Sequence, residues 1–395
     1  MEDDAERLLD GRAWREWCER LAAAGEAILG EGFPDTPRER AEGFRWLARL
    51  VTHAAQMELE AGDPLHPRFV RYETPDNQWG GPNPDNVYLR ARVAAGERYR
   101  VWGNARGVRQ AIFSLHEGDM QLGEMGVWSE TSLDRLALGA DGQLEIVVSP
   151  ERPEGTANWM ELHPRARLLT IRVYLSDWER DAAPPFHIAH LGAEGVPPPA
   201  LTPAAVAQGL DRAARWVEAS ARFWNEYTRA GRARAKPNVP LPPARPKGGA
   251  DDIRYGACFW ELGPGEALLL ECDVPDAAYF GFTIHTLGWL ESGDFAERQT
   301  SLNHRQLHVD PDGRVRVVLA AEDPGVANWL DSEARSRGML VYRYVWTRSE
   351  PVPSARVLPV AEAAAALPSA HPRVSPAERR VALARRRELV WSRYL

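Results

Sequence analysis

Two hydrophobic periods divide the chain. Over residues 5–30 and 37–60 apolar positions recur every three or four residues, as in Phe44, Leu47, Leu50, Val51 and Ala54, and Pro34 and Pro37 interrupt the pattern. That spacing predicts two helices. Over residues 143–148, 168–175, 267–274, 279–286, 314–319 and 339–346 the period falls to two, with Asp-Gly and Gly-Pro pairs between runs. Alternation of this kind predicts short strands joined by tight turns. Helical spacing returns from Pro203 to about Ala230, where Val206, Leu210, Ala213, Val217, Ser220 and Trp224 share one face. It returns again after Ser375-Pro376-Ala377-Glu378, a capped helix start. The proline-rich stretch from Lys236 to Gly249 reads as an extended strap laid on the surface.

The strand regions repeat. Gly96-Glu97 matches Gly265-Glu266, Ile112 to His116 matches Phe282 to His285, and Ser132-Leu133 matches Ser301-Leu302. Asp141-Gly142 matches Asp312-Gly313, Asn158-Trp159 matches Asn328-Trp329, and Arg172 matches Arg343. Six landmarks in order, offset by 169 to 171 residues, indicate an internal duplication. The predicted fold class is therefore α+β and mainly β: two pseudo-repeated antiparallel β-sandwich or jelly-roll-like domains with N-terminal, linking and C-terminal helices. The segments are an N-terminal helical layer (1–62), a first β repeat (63–190), a linking helix and strap (197–250), a second β repeat (251–360) and a C-terminal helical arm (361–395).

Composition narrows the partners. At 395 residues with 44% hydrophobic positions the chain can bury two cores. A net charge of −8 with no basic stripe argues against nucleic acid. No run of apolar residues is long enough to span a bilayer and the start, Met1-Glu2-Asp3-Asp4, is acidic where a secretory signal is basic, so a cytoplasmic protein is expected. Cys18, Cys258 and Cys272 are expected to be reduced thiols. Self-association into a homo-oligomer is left open.

Most landmarks have structural readings. The Asp-Gly pairs are turns, and each Asn of Asn158-Trp159 and Asn328-Trp329 bonds local backbone while the indole caps a core. Arg172 and Arg343, in mid-strand, read first as members of buried pairs with a carboxylate and second as anion-facing groups. Candidate chemistry lies elsewhere. The turn-rich stretch Trp79 to Tyr88 offers Trp79, Asn83, Asp85 and Asn86, and the second repeat offers His285, Trp289, Arg298 and Asn303. Aromatic surface beside imidazole, carboxylate, amide and guanidinium is the mix of an apolar pocket with a few polar anchors. In that reading His285 and Asp85 are catalytic, and Trp79, Asn83, Asn86, Trp289, Arg298 and Asn303 bind substrate. No metal and no cofactor is expected: His187-x-x-His190 and His304-x-x-x-His308 lack the accompanying ligands of a zinc motif, and no nucleophile elbow or phosphate loop is present.

Several stretches together resemble a known family. They are Ala41-Glu42-Gly43-Phe44-Arg45-Trp46-Leu47-x-Arg49-Leu50, Asn83-Pro84-Asp85-Asn86-x-Tyr88, Gly248-Gly249-Ala250, Asp323-Pro324-Gly325-x-x-Asn328-Trp329-Leu330-Asp331 and Ser375-Pro376-Ala377-Glu378-Arg379. The chain so resembles the uncharacterised bacterial proteins carrying the domain of unknown function numbered 1214, with the second repeat as the more typical copy. The resemblance implies a jelly-roll-like β domain with helical additions and no settled activity. Two functional readings follow from the residues. One is a small-molecule-metabolism enzyme, hydrolase- or lyase-like and cofactor-independent, acting on an apolar or sugar-like compound in an aromatic cleft between the repeats. The other is a non-catalytic carbohydrate- or small-molecule-binding protein.

Overall fold

The computed structural model describes residues 2–245 and 252–394, so the Gly248-Gly249-Ala250 motif lies outside the described residues. These divide into two compact units, one of Met1–Trp79, Asn86–Leu175 and Asp181–Glu226, the other of Gly80–Asp85, Ser176–Arg180 and Tyr227–Leu395. The division cuts across the segments expected from the sequence: two short pieces of the first repeat, 80–85 and 176–180, belong to the second unit.

The first unit opens with helices α1 (Glu2–Leu9), α2 (Arg12–Ala27) and α3 (Pro37–Ala55). The continuous pattern over residues 5–30 is broken at Gly11, whose left-handed φ of 77° ends one helix and starts the next. Thr36 caps α3 with Glu39 in reciprocal bonds, and Pro37 occupies the first turn, where no N–H is needed. Nine strands follow: β1 (Val70–Glu73), β2 (Asn86–Arg92), β3 (Tyr99–Asn104), β4 (Gln110–His116), β5 (Val127–Ser132), β6 (Gln143–Ser149), β7 (Trp159–Glu161), β8 (Leu168–Tyr174) and β9 (Phe186–His190). They form a five-stranded sheet, β1-β2-β8-β4-β5, and a four-stranded sheet, β7-β6-β3-β9. Helix α4 runs from Pro203 to Arg232.

The second unit repeats that plan. Its strands are β10 (Leu241–Ala244), β11 (Ile253–Glu261), β12 (Glu266–Asp273), β13 (Ala277–His285), β14 (Ser301–Asn303), β15 (Arg314–Ala320), β16 (Trp329–Asp331), β17 (Arg337–Thr347) and β18 (Ser354–Pro359). Their sheets are β10-β11-β17-β13-β14 and β16-β15-β12-β18, the order of the first unit strand for strand. Even the parallel pair recurs, β6 with β7 and β15 with β16, an exception to the antiparallel expectation in each copy. Short helix α5 (Val360–Ala363) and helix α6 (Pro376–Trp391) complete the unit, α6 starting on the Ser375–Glu378 capping box.

Register corrects one landmark. Ile112 pairs with Ser132, whereas its counterpart Gly281 pairs with Asn303, so Ser132 corresponds to Asn303 and not to Ser301. The extra residues therefore lie before β14. The other landmarks hold. Asn158 Nδ2 donates to the carbonyls of Ala137 and Glu145 while its Oδ1 accepts from Ala137 N, and Asn328 makes the same three bonds to His308 and Arg316. Gly142 and Gly313 sit at left-handed φ in equivalent turns.

In the second unit one core gathers residues of both sheets, among them Trp260, Leu270, Phe282, Val317, Leu340 and Tyr342. Because side chains alternate across a strand, Tyr279, Gly281, Thr283 and His285 of β13 face away from that core, as does Arg343 of β17. Within the expected strap, of which residues 246–249 lie outside the described residues, Leu241–Ala244 form an edge strand: Leu241 pairs with Ala257, and Pro242 and Pro243 are tolerated because β10 is outermost. All three cysteines are free thiols, and only Cys18 is exposed. Among the described residues no helix is long and apolar enough to cross a membrane.

Candidate functional site

The loop Gly80–Asp85 lies on the outer face of the second unit's five-stranded sheet, and polar side chains hold it there. At its far end Asp85 is buried and accepts three hydrogen bonds, from Tyr279 Oη at 2.6 Å, Asn303 Nδ2 at 2.6 Å and Trp178 Nε1 at 2.6 Å. Asn83 Nδ2 donates to the same tyrosine hydroxyl at 2.9 Å, and Arg393 Nη1 donates to Pro84 O at 2.6 Å. Gly281 makes room for this knot, because a Cβ there would stand 2.9 Å from Tyr279 Oη. The guanidinium groups of Arg386 and Arg393 lie over the Trp178 ring, 4.7 and 4.2 Å from its centroid. Burial, then the neighbouring Asp85, pushes the Tyr279 hydroxyl far above the usual tyrosine range, so it stays a proton donor. Burial also holds Arg386 down, to about 9.

At the near end Gly81 has φ 69°, and a Cβ there would meet Leu290 at 3.2 Å and the His285 ring at 3.3 Å. Its carbonyl accepts from Arg343 Nη2 at 2.9 Å. The same Nη2 lies 3.4 Å from His285 Nε2, and His285 Nδ1 lies 3.1 Å from Ser292 Oγ, which in turn donates to Pro82 O. Ser292 gives its one proton to Pro82, so it accepts from His285, and the imidazole carries its proton on Nδ1 with the Nε2 lone pair toward Arg343. Burial, with the Arg343 charge beside it, keeps His285 well below the usual histidine range and hence neutral. Arg343 Nη1 is buried without a hydrogen-bond partner. A buried guanidinium nitrogen left open marks a position for water or a ligand oxygen. Arg343 thus bonds to a carbonyl and an imidazole, not to the carboxylate that the sequence reading preferred.

The structure brings Asp85, Asn83 and Asn303 together, and seats His285 on the same sheet face with different partners. Of the rest, Trp79 and Asn86 fall in the first unit, and Trp289 and Arg298 make other contacts. Trp79 belongs to the first unit, where its indole N–H donates to Ser220 at 3.1 Å and its ring packs among His53, Trp216 and Trp224. Asn86 is the first residue of β2 in that unit and pairs with Tyr174. Trp289 is 0% exposed, so it offers no face for stacking and is a core residue. Arg298 pairs with Asp331 at 2.9 Å, its side chain half exposed. Sequence reasoning missed Tyr279, Trp178 and Ser292. Only the strand alternation that places Tyr279 on the His285 side of β13 could have signalled the first.

Comparison with known proteins adds a family and no activity. Residues 118–177 match the family described as "Protein of unknown function (DUF1214)". That match falls in the first repeat, whereas the sequence resemblance placed the more typical copy in the second. An uncharacterised protein from Burkholderia cenocepacia is 32% identical over 90% of this chain and 99% of its own, with a TM-score of 0.84. The VPA0106 protein from Vibrio parahaemolyticus is 12% identical over 80% of this chain and 98% of its own, with a TM-score of 0.46. None of the curated proteins compared matches the chain.

Proposed function

From the premise that the chain belongs to the family carrying the DUF1214 domain, a family without a described activity, we propose that its second unit is a small-molecule enzyme whose site is the sheet face under the Gly80–Asp85 loop. The observation that carries this reading is Arg343, a buried guanidinium with Nη1 unpaired beside a neutral imidazole. Such a pair recognises an oxyanion of the substrate; once that anion draws Arg343 from Nε2 of His285 and offsets its charge, the imidazole is the base that takes a proton next to it. The substrate class is an apolar or sugar-like compound bearing a carboxylate or an enolisable carbonyl, and the chemistry is hydrolytic or lyase-like with the protein's own side chains as acid and base. Asp85 in this proposal is the anchor of the loop, since its oxygens already accept three hydrogen bonds.

That same saturation of Asp85 favours a second reading, a binding protein that recognises the anion and does not turn it over. The test is a metabolite-library thermal-shift screen on the full chain, with hits followed by NMR for turnover. Stabilisation by an acidic compound, lost in Arg343→Met, supports the site. Turnover lost in His285→Gln with binding retained supports the enzyme, and binding without turnover supports the binding protein. Hits that stabilise Arg343→Met as well as the natural chain sink both readings.

A further inference from the structure

Away from that loop, the second unit gathers two imidazoles and a carboxylate from two stretches of sequence. His308, Asp310 and His371 each present one ligand atom within 4.8 Å of the others. His371 Nδ1 lies 2.9 Å from Asp310 Oδ1 and His308 Nε2 lies 3.7 Å from the same oxygen. Ligands arranged about a common ion at roughly 2.0–2.2 Å stand about 3–3.5 Å apart, so little movement would seat a cation among them. The Nε2 atoms of both histidines are buried without a hydrogen-bond partner, and His371 is 2% exposed.

The backbone holds these residues in place. Asn328 fixes both the N–H and the carbonyl of His308 at 2.8 Å. The segment bearing His371 is tied to the same loop, through Ala327 N to Pro372 O at 3.1 Å and Val374 N to Gly325 O at 2.9 Å. Asp310 Oδ2 accepts from Arg316 Nη1 at 2.8 Å, which orients the carboxylate with Oδ1 toward the histidines. The charge of Arg316 is itself met by Asp312 at 2.6 Å and Glu271 at 3.4 Å. The duplication supplies a control. In the first repeat Asn158 makes the same clamp, yet it holds Ala137, and two residues on stands Gly139 where the second repeat has Asp310. The frame is common to both copies, and the ligating side chains belong to one.

We propose that His308, Asp310 and His371 bind one divalent transition-metal ion, stapling the segment around His371 to the connection between β14 and β15. Two imidazoles with one carboxylate suit zinc, iron, cobalt or nickel better than calcium or magnesium, which take oxygen ligands. The cation replaces the hydrogen between His371 and Asp310, the His371 proton then residing on Nε2. The sequence gives no reason to expect a metal, because its histidine pairs at helical spacing lack accompanying ligands; here the second histidine comes from 63 residues further on, brought by tertiary structure.

The test is titration of the full chain with cobalt(II) alone. One equivalent per chain is expected, with visible d–d absorption and a rise in melting temperature. His308→Ala should abolish the absorption and weaken binding by more than about tenfold, since even loss of an outer-shell partner costs that much. Should that variant not fold, X-ray absorption of the cobalt-loaded natural chain decides, with two imidazole nitrogens expected in the shell. A shell with no imidazole, no d–d absorption, or binding equal in His308→Ala and the natural chain would overturn the proposal.

Discussion

The Tyr279 hydroxyl donates to the Asp85 carboxylate at 2.6 Å across 194 residues of sequence, joining the loop before β2 to the strand β13. Both groups are buried, and the tyrosine is the donor that Asp85 Oδ2 meets, while Asn303 and Trp178 both donate to Oδ1. Tyr279→Phe and Asp85→Asn should each destabilise the protein by about 1–3 kcal/mol, the cost of leaving a buried polar partner unmet. The double variant should lose less than the sum. Urea denaturation of the four-member cycle measures the coupling, and simple additivity would show that the pair does not act together.

Stability should fall on mild acidification. Burial holds His53 and His116 near 3 and His285 well below its usual range, so all three are neutral when folded and protonate freely only when unfolded. The unfolded chain therefore binds more protons below about pH 6.5, and stability is lost as pH drops from there toward the folded values. Each histidine contributes up to about 1.4 kcal/mol per pH unit over that window. Denaturation midpoints measured from about pH 7.5 down to 4.5 should decline, and His53→Gln should flatten the slope if it folds. A flat profile would contradict the assignment.

The two asparagine clamps should behave alike. Asn158→Ala and Asn328→Ala each strand two carbonyls and an amide that the side chain now satisfies, at a cost of about 2–4 kcal/mol. Thermal unfolding of both variants checks this. Because Asn328 holds His308 in place for the cation, only Asn328→Ala should also weaken cobalt binding.

Thiol reactivity should split one to two. Cys18 is exposed, whereas Cys258 and Cys272 are buried and burial raises both, Cys258 to about 12. A chromogenic disulfide reagent should titrate one thiol rapidly in the native protein and three after denaturation. Three fast thiols in the native state would mean that the second core is open.

Much of the architecture was legible because it was written twice. Alternating runs, Asp-Gly turns and the Asn-Trp pair recur at nearly constant offset, which implies that the two units share one strand order, although the order itself comes from the structure. The candidate site was legible only in part. Asp85, Asn83 and Asn303 were singled out for their chemistry and do meet, but a polar residue type does not announce its partner: the half-exposed Arg298 meets the buried Asp331. Nor does an aromatic residue announce its exposure, as Trp289 shows. Arg343, by contrast, was weighed as an ion-pair member, and the loop carbonyl of Gly81 that it meets is invisible to composition. The Ser132 misalignment has a similar cause, because identical letters two residues out of register look better than the true pair, Ser132 with Asn303.

The borders of the second unit's larger sheet have a consequence for crowded solution. On one border Pro242 and Pro243 present no N–H, and on the other Arg386 in α6 occupies the Ser301 carbonyl and hydroxyl. A stray extended chain looking for a template finds one margin lacking donors and the other already spoken for. Loss of α6 by proteolysis or truncation would therefore do more than shorten the protein: it would uncover a ready-made nucleus for cross-strand aggregation.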